Sequence, residues 1–450
     1  MSRAVETFPF WTNWNRNLTF RPEQLARPDS LEALSRVIVG AAGEGRTVRP
    51  VGAGISYTPL VQTDHLMLSL DAFSGVERVD AAAGTAVVGA GTRLGTLTRE
   101  LARHGLALAN LGDIDRQTIA GAVATGTHGT GITIGSLSSQ IVAMTIVDGT
   151  GRVRQLDADR APELLRVARV GLGALGVITS ITLKVQPAQP LLVEREGTTL
   201  AKLLRDLDTL VRANRNFEFF WFPHHGLAYS KKMNEVPDRR PAGGVLHRAT
   251  RFANDILVEN ALIWVACECV RRWPGSRQRL LDVGAHLVPN ETMVLEPHRA
   301  YATPRLVRHY EVEYAVPYGR ASEALGLLDE TLARHPVKTM FPVEVRFTAA
   351  EDIPLSMSHG RDVVYIAVHA YRREDYRALF DLCEDLFLRL DGRPHWGKLH
   401  SLQSGELRRR YPCWDEFQAA RAALDPAGVF ENGYLRRVLG PRPAPAPAPA

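Results

Sequence analysis

Apolar positions over the first 185 residues of the chain follow two different periods that alternate along the sequence. A helical period after the capping residue Ser30 predicts a helix over 30–43, and a second helix is predicted over 94–104, ending before Gly105. Short β-rich runs lie between and after these helices. They predict strands over 47–51, 67–70, 86–89, 142–147, 151–156 and 176–185, with a hairpin turn at 148–151.

The pattern changes after a proline-marked boundary at 186–190. Longer helices, such as 322–335, and isolated strands, such as 338–347 and 362–371, predict a second domain that lies against the first. The expected organisation is a first domain over 12–187, a second over 188–392, a segment over 393–439 that returns to the first domain, and a disordered Pro/Ala tail over 440–450.

Composition and charge narrow the function classes. The chain has 450 residues, of which 45% are hydrophobic and 23% charged, as is typical of a globular protein of two or three domains. A net charge of +5 fits an anionic cofactor, a small acidic ligand or a membrane surface. The sequence contains no basic tract interleaved with aromatic residues, which is the pattern typical of nucleic-acid binding, so we expect no nucleic-acid partner.

Cysteine usage and the apolar segments bear on the compartment. The four cysteines form no CxxC pair and are too few for a disulfide framework, so we expect no metal site and a reduced, cytoplasmic protein. The first twenty residues do not have the pattern of a signal peptide. The most apolar run, 256–270, is too short and too charged to span a bilayer. A core helix is the favoured interpretation of this run, and a peripheral membrane patch is the alternative.

Three glycine-rich segments carry the candidate binding chemistry. In 51–57, Gly52 and Gly54 free the backbone to offer N–H groups to phosphate oxygens, although an ordinary tight turn also explains a lone GxG. The dense Gly, Ala and Thr of 118–131 suits a pyrophosphate and the edge of a flat ring. The third segment, 171–179, would place more amides beside the same ligand. A Rossmann motif is disfavoured, because no third glycine opens a helix.

One predicted strand carries charges among apolar residues. Glu344 and Arg346 are two positions apart and therefore point to the same face. Burying such a pair is costly unless it serves a function, and a structural ion pair is the alternative explanation. Lys398, after a Trp-Gly turn, and His369, in an apolar strand, are further candidates. The alternative interpretations are that Lys398 is a solvated surface lysine and that His369 is a core histidine.

The three glycine segments, taken in order, resemble the FAD domain of the vanillyl-alcohol-oxidase superfamily. The chain is similar to its sugar-1,4-lactone oxidase branch from about 12 to 439. This branch includes L-gulono- and D-arabinono-1,4-lactone oxidases, related dehydrogenases and alditol oxidases. The resemblance implies an α+β fold with a two-subdomain FAD-binding domain of the PCMH type and a substrate (cap) domain built on an antiparallel sheet flanked by helices. It also implies an FAD-dependent oxidoreductase.

The resemblance assigns FAD contacts to the first domain, with one departure. Covalent members carry a histidine after Gly-x-Gly, where this chain has Ile55, and neither His65 nor His128 stands at that position. An alkyl side chain cannot bond the flavin, so non-covalent FAD is expected, with a loop that no longer binds flavin as the alternative. The implied contacts are Val51, Gly52, Ala53, Gly54, Ile55, Ser56, Gly112, Thr118, Gly121, Thr125, Gly126, Thr127, His128 and Val177.

The same resemblance implies a catalytic group of Glu344, Arg346, Lys398, His369 and Asp113. Glu344 would accept a hydrogen bond from the reacting hydroxyl. Arg346 and Lys398 would place positive charge beside the flavin, where the reduced ring gathers negative charge. Hydride would pass from a substrate C–H to flavin N5.

Substrate and acceptor are each left with alternatives. Asp113 departs from a serine of alditol oxidases, and Tyr371 replaces a small polar residue of their substrate pocket, so the resemblance favours a sugar lactone. An alditol, a lipid-linked pentose, and flavin binding without turnover are the alternatives. Gly112 occupies the position that guards the flavin C4a face in the family and leaves room for oxygen, and a redox protein or quinone is the other acceptor. The expected location is the cytoplasm, with peripheral contact at the inner face of the membrane as an extension.

Overall fold

The computed structural model describes residues 10–223, 225–241, 260–285, 290–303, 305–335 and 339–442. Within these ranges helices and strands are mixed, as the sequence predicts. The helices are α1 Leu31–Gly43, α2 Leu94–Arg103, α3 Ile119–Ala124, α4 Pro162–Ala168, α5 Leu200–Arg205, α6 Leu207–Ala213, α7 Ile263–Arg272, α8 Arg277–Ala285, α9 Pro297–Ala300, α10 Ala321–Arg334, α11 Arg377–Arg389, α12 Ser404–Arg408, α13 Trp414–Leu424 and α14 Gly433–Leu439. The strands are β1 Trp11–Thr12, β2 Thr19–Phe20, β3 Gln24–Ala26, β4 Val48–Val51, β5 Leu66–Ser69, β6 Val76–Asp80, β7 Thr85–Gly89, β8 Leu106–Ala107, β9 Ile141–Val147, β10 Val153–Asp157, β11 Val177–Lys184, β12 Gln186–Pro187, β13 Leu191–Thr199, β14 Asn216–Trp221, β15 Leu227–Glu235, β16 Glu291–Leu295, β17 His309–Pro317, β18 Val343–Thr348, β19 Val363–Tyr371 and β20 Arg393–Pro394.

Two separate sheets build the first part of the chain. β3, β5 and β4 form a parallel sheet, and α1 packs against it and supplies the crossover that parallel strands require. β10, β9, β11, β7 and β6 form a five-stranded antiparallel sheet. This pair of sheets is the two-subdomain arrangement expected of the FAD-binding domain.

The helices and strands predicted in this part are confirmed. Ser30 caps α1 by accepting a hydrogen bond from the Ala33 N–H at 3.2 Å. α2 ends two residues before Gly105, and β9 and β10 pair as the predicted hairpin. The sequence pattern does not predict β6, because Glu77 and Arg78 interrupt its apolar alternation.

An eight-stranded antiparallel sheet dominates the second part, in the order β16-β13-β15-β14-β18-β19-β17-β20. α5, α6, α10 and α11 cover one face of it with an apolar core that includes Leu203, Val211, Leu325 and Phe387. Burial of this apolar surface holds the two layers together. Because side chains alternate along a strand, the other residues of β17, β18 and β19 point to the opposite face.

The elements predicted in the second part are confirmed with one change. α10 corresponds to the helix predicted over 322–335, and β19 to the strand over 362–371. The strand predicted over 338–347 is shorter, since β18 begins at Val343 and Lys338 lies outside the described residues. The Thr339 hydroxyl donates to His369 O at 2.6 Å and accepts from the Phe341 N–H at 3.0 Å, which turns the backbone before the strand.

The segment after β20 contacts the first part of the chain. The Asn432 side-chain amide donates to three carbonyls between Pro59 and Gln62. α13 and α14 bury Phe417 and Leu435 in the same core as the five-stranded sheet. These contacts support a returning segment, while the boundaries at 187 and 392 stay predictions. Of the Pro/Ala tail, positions 443–450 lie outside the described residues.

The apolar run 256–270 lies partly outside the described residues, which resume at position 260. Its described portion forms most of α7, where Cys267 and Val270 are buried and Leu262 and Trp264 are exposed. One side of this segment is therefore core, as favoured, and the other is an apolar surface. Across the described ranges, no helix is both long and apolar enough to cross a membrane.

Candidate active site

A cavity of about 420 Å³, here called the wide cavity, lies against the charged face of the eight-stranded sheet. β17, β18 and β19 form one wall, and Lys398 reaches it from the segment after β20. Loops of the first part around Ser56, Gly112 and Thr127 form another wall. Apolar side chains of α7 and α8 line its outer end.

β18 presents Glu344 and Arg346 to the wide cavity, as their spacing predicts. Arg346 Nη2 lies 2.5 Å from Glu344 Oε1, and Arg346 Nε donates to Glu218 Oε2 at 2.9 Å. Glu218 also pairs with Lys231 Nζ at 3.0 Å. Burial would lower the pKa of Arg346, but the charges of Glu344, Glu218 and Asp113 outweigh burial and raise the pKa. The guanidinium is therefore a fixed positive charge in the wall.

The pKa values of the two cavity carboxyl groups nearest Arg346 are shifted in opposite directions. Burial raises the pKa of Glu344, and the charge of Arg346 offsets this only in part. Burial would also raise the pKa of Asp113, but Arg305 and Arg346 outweigh it and lower the pKa to about 2. Arg305 Nη2 lies 2.5 Å from Asp113 Oδ2, and Arg346 Nη2 lies 3.8 Å from it. One carboxyl thus accepts a proton more readily while the other stays ionised.

Lys398 and His369 meet at Glu311, a residue of β17 that the sequence analysis does not single out. Lys398 Nζ lies 2.5 Å from Glu311 Oε2 and 3.8 Å from Glu313 Oε2. His369 Nε2 lies 3.6 Å from Glu311 Oε1, and its Nδ1 lies 3.1 Å from Pro342 O. Burial would lower the pKa of Lys398, but the two glutamates outweigh burial and raise the pKa. Lys398 is therefore an ionised group of the cavity.

His128 contributes its ring to the wide cavity. Its Nε2 lies 3.2 Å from Glu313 Oε1, and its ring stacks on Tyr365 with centroids 3.4 Å apart. His395 lies beside it, with ring centroids 5.7 Å apart. Burial, opposed by the charge of Glu313, lowers the pKa of His395 to about 3. His395 is therefore uncharged at neutral pH.

Part of the group of charged residues around Lys398 and His128 could have been found from the sequence. His309, Glu311 and Glu313 alternate with apolar residues along β17, which is the same pattern that identifies Glu344 and Arg346. Glu218 shows the same alternation on β14, between Phe217 and Phe219, whereas Arg305 carries no such signal. Their partners in the site lie 128 and 192 residues away in the sequence, so only the folded chain brings them together.

Tyr371 does not line the wide cavity, contrary to the role considered for it in substrate choice. Its hydroxyl donates to Glu268 Oε1 at 2.6 Å, and Glu268 also pairs with Arg271, Arg272 and Arg373. The residue at position 371 therefore anchors α7. Asp113, the other residue that distinguishes this chain from alditol oxidases, does line the cavity.

A narrower cavity of about 110 Å³, here called the groove, shares Ile55, Ser56, Gln117 and Thr125 with the wide cavity. Backbone and small side chains form most of its walls, and side chains would fill it. A Cβ on Gly52 would lie 2.2 Å from Thr118 Oγ1. The predicted cofactor contacts that line the groove are Val51, Gly52, Ala53, Gly54, Ile55, Ser56, Thr118, Gly121 and Thr125.

The other predicted cofactor contacts divide into two groups. Gly112, Thr127 and His128 line the wide cavity. Gly126 and Val177 line neither cavity. A Cβ on Gly126 would face Met357 at 3.1 Å, and Val177 is fully buried in the core of the parallel sheet. The structure therefore does not bring these two side-chain positions to the site.

The combined shape and chemistry of the two cavities fit FAD. The groove is lined by glycines and threonines, whose main-chain N–H groups and hydroxyls are the kind of donor that binds diphosphate oxygens. The wide cavity continues from the groove and has room for a flat ring system. Its charged wall would then face that ring.

Two family matches cover most of the chain. Residues 181–438 match the family of D-arabinono-1,4-lactone oxidase, and residues 22–157 match an FAD binding domain. An L-gulono-1,4-lactone dehydrogenase of Mycobacterium tuberculosis is 39% identical over 434 residues, which are 96% of this chain and 100% of that protein. An alditol oxidase of Streptomyces sp. is 32% identical over 458 residues, covering 98% of this chain and 100% of that protein.

A solved structure gives an independent view of the architecture. Cholesterol oxidase from B. sterolicum aligns with a TM-score of 0.80 over 97% of this chain and 100% of that chain. The sequence identity is 16%, so this likeness concerns the fold alone. It agrees with an FAD-binding domain followed by a sheet-rich second domain.

Proposed function

This chain belongs to the D-arabinono-1,4-lactone oxidase family of FAD-dependent oxidoreductases that act on CH–OH groups, and we propose that it oxidises a hydroxyl of a sugar-1,4-lactone. The lactone would be of the L-gulono, L-galactono or D-arabinono type. One observation carries the proposal. Glu344, Arg346, His369 and Lys398 meet in a cavity that is continuous with the glycine-lined groove.

FAD, when bound, supplies the hydride acceptor. The loop 51–56, with Thr118 and Gly121, would hold its diphosphate through main-chain and hydroxyl donors. Ile55 lines both cavities and has no nucleophilic atom, so we propose that FAD is held without a covalent bond. Acid precipitation tests this point: all of the yellow colour should stay in the supernatant.

The residues of the sheet would handle the substrate. Glu344 would accept a hydrogen bond from the reacting hydroxyl and so orient the adjacent C–H. His369 Nε2, on the neighbouring strand, can receive the hydroxyl proton. Arg346 and Lys398 hold positive charge on the same wall, which would stabilise the negative charge that the flavin ring gathers when it is reduced.

The outer end of the wide cavity bears on the choice of substrate. Leu262, Val265 and Val283 line it and are about half exposed. This apolar entrance favours, as a second candidate, a pentose that carries a lipid chain. The similarity to an alditol oxidase makes an alditol the third candidate. We place the lactone first because the family match covers the sheet that carries the charged cluster.

The acceptor would be oxygen, a redox protein or a quinone, and we propose a cytoplasmic location with peripheral membrane contact. Leu262 and Trp264 are exposed at the start of α7, and Arg271 and Arg272 at its end pair with Glu268. Exposed apolar side chains on a chain of net charge +5 suit an anionic lipid surface. Co-sedimentation with anionic vesicles that is lost in Trp264→Ser would support this contact, and no sedimentation of the wild type would refute it.

Anaerobic titration of the purified yellow protein tests the proposed reaction. L-gulono-1,4-lactone or D-arabinono-1,4-lactone should bleach the flavin, and xylitol should not. Bleaching by xylitol alone would favour the alditol reading, and a yellow protein that no sugar bleaches would favour flavin binding without turnover. Readmitted air shows whether oxygen restores the colour.

A further inference from the structure

Glu311 occupies the centre of the charged cluster on the eight-stranded sheet, and we propose that it is a positioning residue that holds Lys398 and His369 for the oxidation. The proposal rests on the function proposed above. Glu311 would not touch the reacting atoms itself. It would fix the two groups that do.

The register of the sheet brings Glu311 to this position. β17 pairs with β19 so that Glu311 lies directly opposite His369. Glu311 Oε1 lies 3.6 Å from His369 Nε2, and Glu311 Oε2 lies 2.5 Å from Lys398 Nζ and 3.8 Å from His309 Nε2. Both carboxylate oxygens are therefore used by cationic or ring nitrogen groups that face the cavity.

Glu311 also reaches the first part of the chain. Burial and then the charge and hydrogen bond of Glu311 raise the pKa of Tyr57, which lies in the loop that follows the glycine turn. Lys398 Nζ stands 5.7 Å from the centre of the Tyr57 ring. The Glu311 carboxylate thus links a loop of the FAD-binding domain, the eight-stranded sheet and the segment after β20.

Burial makes this arrangement sensitive to the carboxylate. A half-buried ammonium is disfavoured without a close partner, and loss of Glu311 leaves Lys398 with the more distant Glu313 at 3.8 Å. The groups that face His369 are His309 and Glu311 from β17, Glu344 from β18 and Lys398. Burial would lower the pKa of His369, but Glu311 outweighs burial and raises it. Removing Glu311 therefore changes both the place of Lys398 and the titration of His369.

The test is Glu311→Gln in the full-length protein loaded with FAD. We expect the limiting rate of anaerobic flavin reduction by the lactone to fall about a hundredfold, as for a catalytic group displaced by about 1 Å. The lactone concentration for half-maximal rate should change much less. The pH of half-maximal rate on the acid side should move to lower pH, because His369 loses the partner that raises its pKa.

A matched control and a double variant separate positioning from general damage. Glu384→Gln also removes a buried carboxylate, which accepts hydrogen bonds from Tyr314 and the Ser401 N–H outside the cavity, and should leave the pH profile unchanged. If Glu311 acts through Lys398, the Glu311→Gln change should cost far less rate in a Lys398→Met background than in the wild type. Additive effects of the two substitutions on the rate, or an unchanged pH of half-maximal rate on the acid side (the acid limb), would overturn the proposal.

The reduction potential of the bound FAD gives a readout that needs no sugar. Removing one negative charge from the cavity makes the potential more positive, and displacing Lys398 makes it more negative. The shift caused by Glu311→Gln should therefore be more negative in the wild-type background than in the Lys398→Met background, and Glu384→Gln should cause no shift. If no sugar bleaches the wild type, the proposed function fails, and equal shifts in the two backgrounds then overturn the Glu311 proposal separately. Should Glu311→Gln not fold, Glu311→Asp keeps the charge with a shorter reach, and it should lower the rate while retaining the acid limb; an unaltered rate would refute positioning.

Discussion

The groove and the wide cavity are neighbours that share residues, yet they are built in opposite ways. The groove is made mostly of backbone, glycines and small side chains. One wall of the wide cavity carries charged side chains that pair with one another, such as Arg346 with Glu344 and Lys398 with Glu311. The first excludes side-chain bulk, and the second depends on side-chain charge. The two should therefore fail under different substitutions.

Removal of the central cation should produce the largest effect. Arg346→Ala takes positive charge from the wall of the cavity and leaves Glu344 and Glu218 without their closest cation. The limiting rate of anaerobic flavin reduction should fall about 10²–10³-fold, by analogy with loss of a single oxyanion-hole donor. Arg212→Ala, which breaks an exposed pair with Asp208, is the control. Rapid bleaching of a folded, yellow Arg346→Ala protein would contradict the assignment.

A second change addresses the stability that the charged cluster contributes. Burial would raise the pKa of Glu313, but His128 and Lys398 outweigh it and lower the pKa to about 2. The ionised form is therefore stabilised by folding, and this contribution is complete above about pH 4.5 and is lost as pH falls towards 2. Glu313→Gln should cost on the order of 3 kcal/mol in the free energy of unfolding at pH 7.

The pH dependence distinguishes this effect from simple loss of packing. Denaturant midpoints of wild type and Glu313→Gln should differ at pH 7 and converge as pH falls from about 4.5 to 2. Glu330→Gln, in an exposed pair with Arg334, should show no such convergence. A difference between wild type and Glu313→Gln that is the same at every pH would argue against the paired, ionised state.

Bulk rather than charge should weaken the groove. A Cβ on Gly52 would lie 2.2 Å from Thr118 Oγ1, so Gly52→Ala forces the loop and α3 apart. FAD affinity should fall about 10- to 100-fold, the range expected for overpacking by 1–3 kcal/mol. Gly40→Ala, where no atom lies within 4 Å, should bind FAD normally. Fluorescence titration of the apoprotein measures both, and equal affinities would show that the groove tolerates the methyl group.

The smallest effect concerns Gly112, in the wall of the wide cavity. A Cβ on Gly112 would lie 3.1 Å from His128 O and from Thr127 Cγ2, so Gly112→Ala narrows the wide cavity slightly. Reoxidation of the reduced flavin by oxygen should slow about tenfold, while reduction by the sugar changes little. Stopped-flow mixing with aerated buffer measures the first rate. If it is unchanged, Gly112 does not control oxygen access.

The groove and half of the charged wall could be predicted from the sequence. Gly52, Gly54 and Thr118 lie in contiguous motifs whose spacing is visible in the chain, and Glu344 and Arg346 share a face because strands have a period of two. Glu218 shows the same alternation between Phe217 and Phe219, but its pairing with Arg346 could not be predicted. The role of Arg305 could not be found either, because both contacts depend on which strands and loops become neighbours. The interpretation of Tyr371 as a cavity residue was wrong for the same reason: its hydroxyl meets Glu268, which lies 103 residues away.

The sequence by itself determined the alternation of helices and strands, the glycine-lined binding loops and the absence of a histidine at Ile55. These are local properties, fixed by backbone freedom, side-chain period and the chemistry of single residues. Only the tertiary structure decided that Glu311 stands between Lys398 and His369. Strand order and register set that meeting, and both depend on the burial of an entire sheet face, to which residues from all parts of the domain contribute.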